Sequence, residues 1–420
     1  MSTFGILVVG SLLAFKLIIH TWLILRQRST LARHRAAVPA DFNGHFSIDE
    51  HQKGVDYGRA RLGLGLGKLW FGAGVMGLWF YSGALNTLDS LLFLFIPSSL
   101  WQPLALIATV MLVGGLLELP WSIYSQFVVE ERFGFNRTSW RTFVADRIKG
   151  LVIGGIFGLA LGFPLVFLMH TIPGYWWIPA AAVYISFQFI LLLLFPTVIA
   201  PLFNKFSPLT DEKLATSLKT MVEEAGFRSD GVFVMDASKR SSHGNAYFTG
   251  IGAAKRIVFF DTLLKSLTPA QTLAVLAHEI GHLAHGHIKK GMALSLLMSV
   301  LTFAAIGWFS TRADLFIDLG LTPTHGVLLI TAMWLGGLVS VPLSPLFSLW
   351  SRRHEFEADR YAVARSEKDA LSTALMALYR ENAGSLVVDP IYAAWYYSHP
   401  PLAERIAAMR AAPTATPVGN

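Results

Sequence analysis

The chain of 420 residues contains no cysteine, which excludes disulfides and any thiolate-ligated metal site. Charge is also scarce. Asp, Glu, Lys and Arg make up 15% of residues against 53% hydrophobic, with a mean hydropathy of +0.50, a balance that excludes an ordinary soluble chain. The net charge of +7 comes without an aromatic–basic module, so nucleic acid is not an expected partner. The first apolar block lacks a basic leading region and a small-residue cleavage site, and reads as a retained span rather than a signal peptide. No internal repeat is visible.

What is present is apolar sequence gathered into blocks of about 20 residues, long enough to cross a bilayer. Seven are expected: Phe4 to Leu25, Leu69 to Leu85, Leu104 to Tyr124, Leu151 to His170, Ile178 to Ile199, Met292 to Phe309 and Val327 to Trp350. Basic residues cluster after the first block (Arg26 to Lys68), after the third (Arg132 to Lys149) and after the last (Arg352, Arg353), while the links near Asp89, Pro173 and Asp314 have few. The positive-inside rule then sets the N-terminus outside and the C-terminus in the cytoplasm. Between and after these blocks, 201–290 and 351–411 are long enough to fold together as one cytoplasmic unit, split by the hairpin 291–350. Asp211 to Ala225 reads as a polar helix, Val232 to Ala237 and Arg256 to Phe260 as strands, and Ala246 to Ile251 as a third. Residues 1–200 form an N-terminal membrane region, and 412–420 reads as a disordered tail.

The most specific local signal is His278-Glu279-Ile280-Gly281-His282. Histidines at i and i+4 share one helical face and can reach one metal ion, and the adjacent glutamate is placed to serve as general base. Thr268-Pro269-Ala270-Gln271 reads as an N-cap, a proline at the first position and a capping-box glutamine, so the motif lies on a helix, with apolar spacing continuing to Ile288. A catalytic zinc needs a third protein ligand. His285, His287 and Glu355 are candidates. A metzincin would need Gly at 285 and His at 288, where this chain has His285 and Ile288. Glu355 and Asp359 share a helical face, so one could bind the metal while the other orients a liganding histidine. The plainer alternative is an acidic helix end paired with Arg352, Arg353 and Arg360.

Seven segments together resemble the CAAX prenyl protease 1 family of integral-membrane zinc metallopeptidases, with HtpX-type proteases, which have fewer spans, more distant. They are Val129 to Asn136, Pro201 to Asn204, Ser241 to Phe248, Arg256 to Leu264, His278 to His282, Ser351 to Asp359 and Ser398 to Arg405. The resemblance implies one Zn²⁺ held by His278, His282 and Glu355, Glu279 as general base and Asp359 behind a ligand. It implies Asn245 and Ala246 along the substrate backbone, and His399 and Arg405 near the substrate or oxyanion. Read without the resemblance, His399 is an ordinary loop residue and Arg405 a surface charge. The implied fold is mainly α: about seven transmembrane helices around a chamber, with a small cytoplasmic α+β gluzincin-type protease domain. Lys16, His20 and Glu118 are polar groups that such a wall could carry.

The implied partners are the bilayer and a peptide, possibly prenylated at a C-terminal cysteine, acted on by a monomer. The absence of an ER-retention ending favours a bacterial cytoplasmic membrane, with the ER membrane as the alternative. Membrane-protein quality control of the HtpX kind and a non-proteolytic zinc-binding scaffold or transporter are the competing functions.

Overall fold

A computed structural model describes residues 1–227, 231–249 and 256–411. The expected tail at 412–420 and the last two positions of the third expected strand lie outside the described residues.

Helix α1 (Thr3–Arg33) starts where the Ser2 side chain accepts from Gly5 N, and α2 (Ile48–Tyr81) starts at a capping box between Ser47 and Glu50. The remaining membrane-region helices are α3 (Ala84–Phe95), α4 (Trp101–Tyr124), α5 (Trp140–Thr171), α6 (Trp177–Leu194) and α7 (Ala200–Phe203). Wide π-type turns at Ser125–Glu130 and Phe195–Ile199 prolong α4 and α6. Next come β1 (Phe206–Pro208), α8 (Glu212–Glu224), β2 (Val232–Met235), β3 (Ala246–Thr249), β4 (Arg256–Phe260), α9 (Asp261–Ser266) and α10 (Pro269–Ala284). The chain ends with α11 (His287–Ser310), α12 (Ala313–Asp318), α13 (His325–Val339), α14 (Ser344–Val363), α15 (Ala370–Glu381), α16 (Pro390–Tyr396) and α17 (Leu402–Ala411).

Among the described residues, six helices are long and apolar enough to cross a membrane: Thr3–Arg33, Ile48–Tyr81, Trp101–Glu130, Trp140–Thr171, Trp177–Phe203 and His287–Ser310. A seventh span exists only as a bent pair, His325–Val339 with Val341–Val363, broken by 40°. Pro342 and Pro345 lie at that break, where each removes a backbone donor. The second span also differs from the apolar block: its helix begins at Ile48, so the polar stretch bearing Lys53, Arg59 and Arg61 continues the same helix. The bundle core includes Leu85, Leu106, Val327 and Ile330.

The sheet has the order β1-β2-β4-β3, with β2 and β4 parallel, both outer pairs antiparallel, and β3 an edge. Strand β1 carries no sequence signal of its own. Asp211 is the N-cap of the expected polar helix. In α10, Thr268 and Gln271 form the expected capping box. This helix ends at Ala284 rather than running to Ile288, because Gly286 is left-handed (φ +68°) and α11 departs from His287. One core cluster joins Val275, Leu276 and Ile280 of α10 to β4 and α8; another joins Ala274 and Ala277 to α15 and α17. The helix that carries the metal-type motif is therefore fixed from both sides.

Candidate metal centre

Gly281 allows α10 to meet α14. A Cβ there would fall 2.9 Å from Ala358 Cα and 3.1 Å from its carbonyl oxygen. This close crossing brings Glu355 to the two motif histidines. His278 Nε2 and His282 Nε2 are 3.3 Å apart, and they lie 3.4 Å from Glu355 Oε2 and 3.3 Å from Glu355 Oε1, respectively. Metal–ligand bonds of about 2.0–2.1 Å in a tetrahedron separate neighbouring ligand atoms by about 3.3–3.4 Å. Glu355 is 4% exposed, and its Oε2 has no hydrogen-bond partner. A buried carboxylate oxygen left in that state is costly unless a cation meets it. The donor set fits a metal ion. Among the described residues, His278, His282 and Glu355 are the group whose ligand atoms converge in this way.

Both imidazoles are held from behind. Asp359 Oδ1 lies 2.9 Å from His278 Nδ1, so that nitrogen donates and Nε2 keeps its lone pair facing Glu355. Burial lowers the pKa of His278, but the Asp359 and Glu355 carboxylates outweigh it and push the value up to about 9. On the other side, His282 Nδ1 is 3.0 Å from His287 Nδ1, and His287 Nε2 is 2.8 Å from Glu357 Oε2. If Glu357 accepts from His287 Nε2, then His287 Nδ1 can accept from His282, and the Nε2 of His282 is again free. This second chain of donors is not legible in the sequence, which offers His287 only as a candidate ligand and gives no sign of a role for Glu357.

Arg405 is 7% exposed, not a surface charge. It donates to Asp359 from Nε (2.8 Å) and Nη2 (2.6 Å), and Nη2 lies 3.9 Å from Glu355 Oε2. His399 is more open, with a side chain 62% exposed and Nε2 3.4 Å from Glu355 Oε1. Glu279 is partly buried, and desolvation raises its carboxyl pKa.

A cleft of about 450 Å³ runs past this centre, lined by Asn245, Tyr379, Ser398, His399 and Arg405 among others. Ala246 opens the edge strand β3, with Asn245 just before it. Asn382 fixes the segment: its Oδ1 accepts from Gly244 N (3.0 Å) and its Nδ2 donates to Gly244 O (3.2 Å). Sequence reasoning gave no sign of Asn382, whose partner is remote in the chain. Of the polar intramembrane residues, Lys16 and His20 line a neighbouring cavity, whereas Glu118 pairs with Lys68 Nζ at 2.5 Å.

An apolar helical bundle carrying a His-Glu-x-x-His helix and a convergent glutamate defines an integral multi-pass membrane metallopeptidase. Residues 27–205 match the family described as CAAX prenyl protease N-terminal, five membrane helices, and 208–412 match peptidase family M48. The chain belongs to the CAAX prenyl protease 1 family of M48 metallopeptidases. It is 35% identical to CAAX prenyl protease 1 of Saccharomyces cerevisiae over 334 residues, which cover 74% of this chain and 73% of the yeast protein. The Homo sapiens homologue is 33% identical, over 74% of each chain. The crystal structure of S. mikatae Ste24p superimposes with a TM-score of 0.89 at 30% identity, covering 96% of this chain and 98% of that one. These matches favour neither a quality-control role of the HtpX kind nor a non-proteolytic scaffold.

Proposed function

We propose that the centre holds one zinc ion and that the protein cleaves peptides C-terminal to a prenylated cysteine. The observation that carries this reading is the set of 3.3–3.4 Å separations among His278 Nε2, His282 Nε2 and the Glu355 carboxylate, beside a cleft lined by His399, Arg405 and Asn245. The substrate class comes from the relatives, which are CAAX prenyl proteases by name. His278, His282 and Glu355 are the zinc ligands in this reading, an N₂O set suited to zinc in a cysteine-free chain.

Bound zinc supplies a Lewis acid that acidifies water and polarises the scissile carbonyl. Glu279, its pKa raised by burial, accepts the proton of the attacking water and returns it to the leaving amine. His399, open to the cleft, donates towards the developing oxyanion. Arg405 directs its Nε and Nη2 at Asp359 and acts through it, orienting His278 rather than touching substrate. Asn245 and Ala246 offer edge-strand backbone to an extended peptide.

In the same reading, 1–200 is a membrane region, and 201–290 joins 351–411 as the protease across the hairpin 291–350. The N-terminus is outside and the protease is cytoplasmic, in a bacterial inner membrane or, as the alternative, the ER membrane. A monomer suffices, since all three ligands come from one chain. The test is hydrolysis of a farnesylated peptide by wild type and Glu279→Gln, with zinc measured in both. Loss of cleavage with zinc retained supports the reading; cleavage that survives the substitution overturns the general base. A C-terminal reporter found on the outer face would overturn the orientation.

A further inference from the structure

Three polar side chains meet outside the described lining of the cleft: Tyr57 on α2, Glu130 at the end of the π-type turn after α4, and His243 just before β3. The Tyr57 hydroxyl donates to Glu130 Oε1 at 2.7 Å, and His243 Nε2 lies 3.3 Å from Glu130 Oε2. Tyr57 is buried and the Glu130 carboxylate largely so. Neither the metal group nor the reaction derived above uses this cluster.

The other nitrogen of the His243 ring reaches the wall of the cleft. Asn382 Oδ1 accepts from Gly244 N and Asn382 Nδ2 donates to Gly244 O, a pairing that fits one orientation of the amide only. His243 Nδ1, 3.2 Å from that Oδ1, is therefore a donor. The ring faces an acceptor at each nitrogen and satisfies both with two protons, while Glu130 balances the charge. Phe135 stacks on the ring with centroids 4.4 Å apart, and its carbonyl accepts from Ser242 N at 3.2 Å. The His243 carbonyl accepts from Thr262 Oγ1 at 2.9 Å. One residue is thus tied both to membrane-region helices and to the peptidase unit.

What His243 holds is the start of the edge strand. Gly244, Asn245 and Asn382 all line the cleft. Asn245 O accepts from Phe260 N at 3.0 Å, so in this antiparallel pair the next residue, Ala246, turns its backbone groups away from β4. The Ala246 N–H meets Asn245 Oδ1 at 2.8 Å instead.

We propose that His243 is a positioning residue for substrate: by bridging Glu130 to Asn382 it fixes the Gly244–Ala246 backbone along which the peptide extends. This rests on the proteolytic reading above. An edge strand binds a peptide through main-chain groups, and their alignment with the metal centre depends on where Gly244 is held. A misplacement of about 1 Å is enough to impair a bound geometry. Since Tyr57 and Glu130 belong to membrane spans, the membrane region sets the place of the substrate strand.

The test uses the full-length protein in phosphatidylcholine vesicles and a farnesylated peptide, with kcat and KM resolved and zinc content and melting temperature measured alongside. His243→Ala is expected to raise KM about tenfold, to change kcat by less than about threefold, and to keep zinc bound. His243→Asn, which keeps an N–H near the Nδ1 position, is expected to recover part of that loss. Glu130→Gln, which keeps an acceptor oxygen, is expected to lose less than His243→Ala. A second series uses peptides N-methylated at one backbone amide at a time. The methylation that weakens wild type most is expected to cost less in His243→Ala, because the strand contact it removes is already impaired. Should His243→Ala fail to fold, His243→Asn and Glu130→Gln carry both comparisons against wild type. An unchanged KM in the folded variants overturns the role. A fall in kcat with loss of zinc and no change in KM marks a purely structural residue and overturns it as well. An N-methylation penalty of equal size in wild type and variant overturns the route through the strand. Each of these outcomes leaves the protease reading intact, whereas failure of wild type to cleave the peptide overturns that reading and the role of His243 together.

Discussion

The Arg405 guanidinium grips the Asp359 carboxylate through two parallel contacts, Nη2–Oδ1 at 2.6 Å and Nε–Oδ2 at 2.8 Å, with both residues under one-tenth exposed. Asp359 in turn holds His278 Nδ1 at 2.9 Å. A buried charge stripped of its partner is strongly destabilising, so Arg405→Ala is expected to cost about 3–5 kcal/mol in chemical denaturation. Asp359→Asn is expected to keep the fold and weaken metal affinity about 10- to 100-fold, as measured by competition with a chelator. An unchanged affinity would show that His278 does not need Asp359.

The second imidazole is held by a longer chain, His282 to His287 to Glu357, with links of 3.0 and 2.8 Å. His287→Phe removes the acceptor for His282 Nδ1 while keeping an aromatic ring in place. The expected loss is about tenfold in zinc affinity, towards the lower end of outer-layer effects, because Glu357 is more exposed than Asp359. Glu357→Gln keeps a hydrogen-bond acceptor and is expected to lose less than His287→Phe. The reverse order would count against the relay.

Metal loading should depend on pH in a manner set by His278, whose pKa in the metal-free protein is pushed up to about 9 by the nearby carboxylates. Below that value the ring is protonated, and zinc must displace the proton to bind. Affinity is therefore expected to fall about tenfold per pH unit as pH drops from 9 towards 7. In the metal-free fold the sign runs the other way. A raised pKa contributes stability that is complete below the unfolded value of about 6.5 and is lost as pH rises through about 9. Calorimetric titration in buffers of different ionisation enthalpy should detect about one proton released per zinc near pH 8. No release at that pH would place His278 at an ordinary value.

Gly281 lies where α10 crosses α14 too closely for a Cβ to fit without displacement. Gly281→Ala pushes a methyl group to 2.9 Å from Ala358 Cα, a contact that only movement of α14 can relieve. Because Glu355 is carried on α14, the substitution is expected to lower zinc content as well as to cost about 1–3 kcal/mol. Full zinc occupancy with unchanged stability would mean that the two helices can adjust.

The parts of this architecture that depend on spacing along one helix were legible in the sequence. The His278–His282 pair, the Thr268–Gln271 capping box and the Glu355–Asp359 face each follow from local periodicity, and the strand Arg256–Phe260 from its apolar run. The spans were visible as apolar blocks. Two were misjudged in shape, since a helix can continue into polar sequence, as α2 does over Lys53 to Lys68, and prolines can bend a span, as between α13 and α14. What stayed hidden joins remote positions. Nothing near Arg405 shows that Asp359 awaits it, and nothing near Asn382 points to Gly244. The His287–Glu357 contact likewise needs α11 and α14 to be placed side by side. Such pairs are decided by packing, which periodicity does not encode.

The central claim is that α10 and α14 together hold a zinc ion through two imidazoles and one carboxylate. Zinc per chain after exhaustive dialysis tests this most directly, comparing wild type with Glu355→Ala at matched fold stability. One zinc in wild type and a near-complete loss in Glu355→Ala is the expected result. Equal occupancy in the two proteins would contradict it.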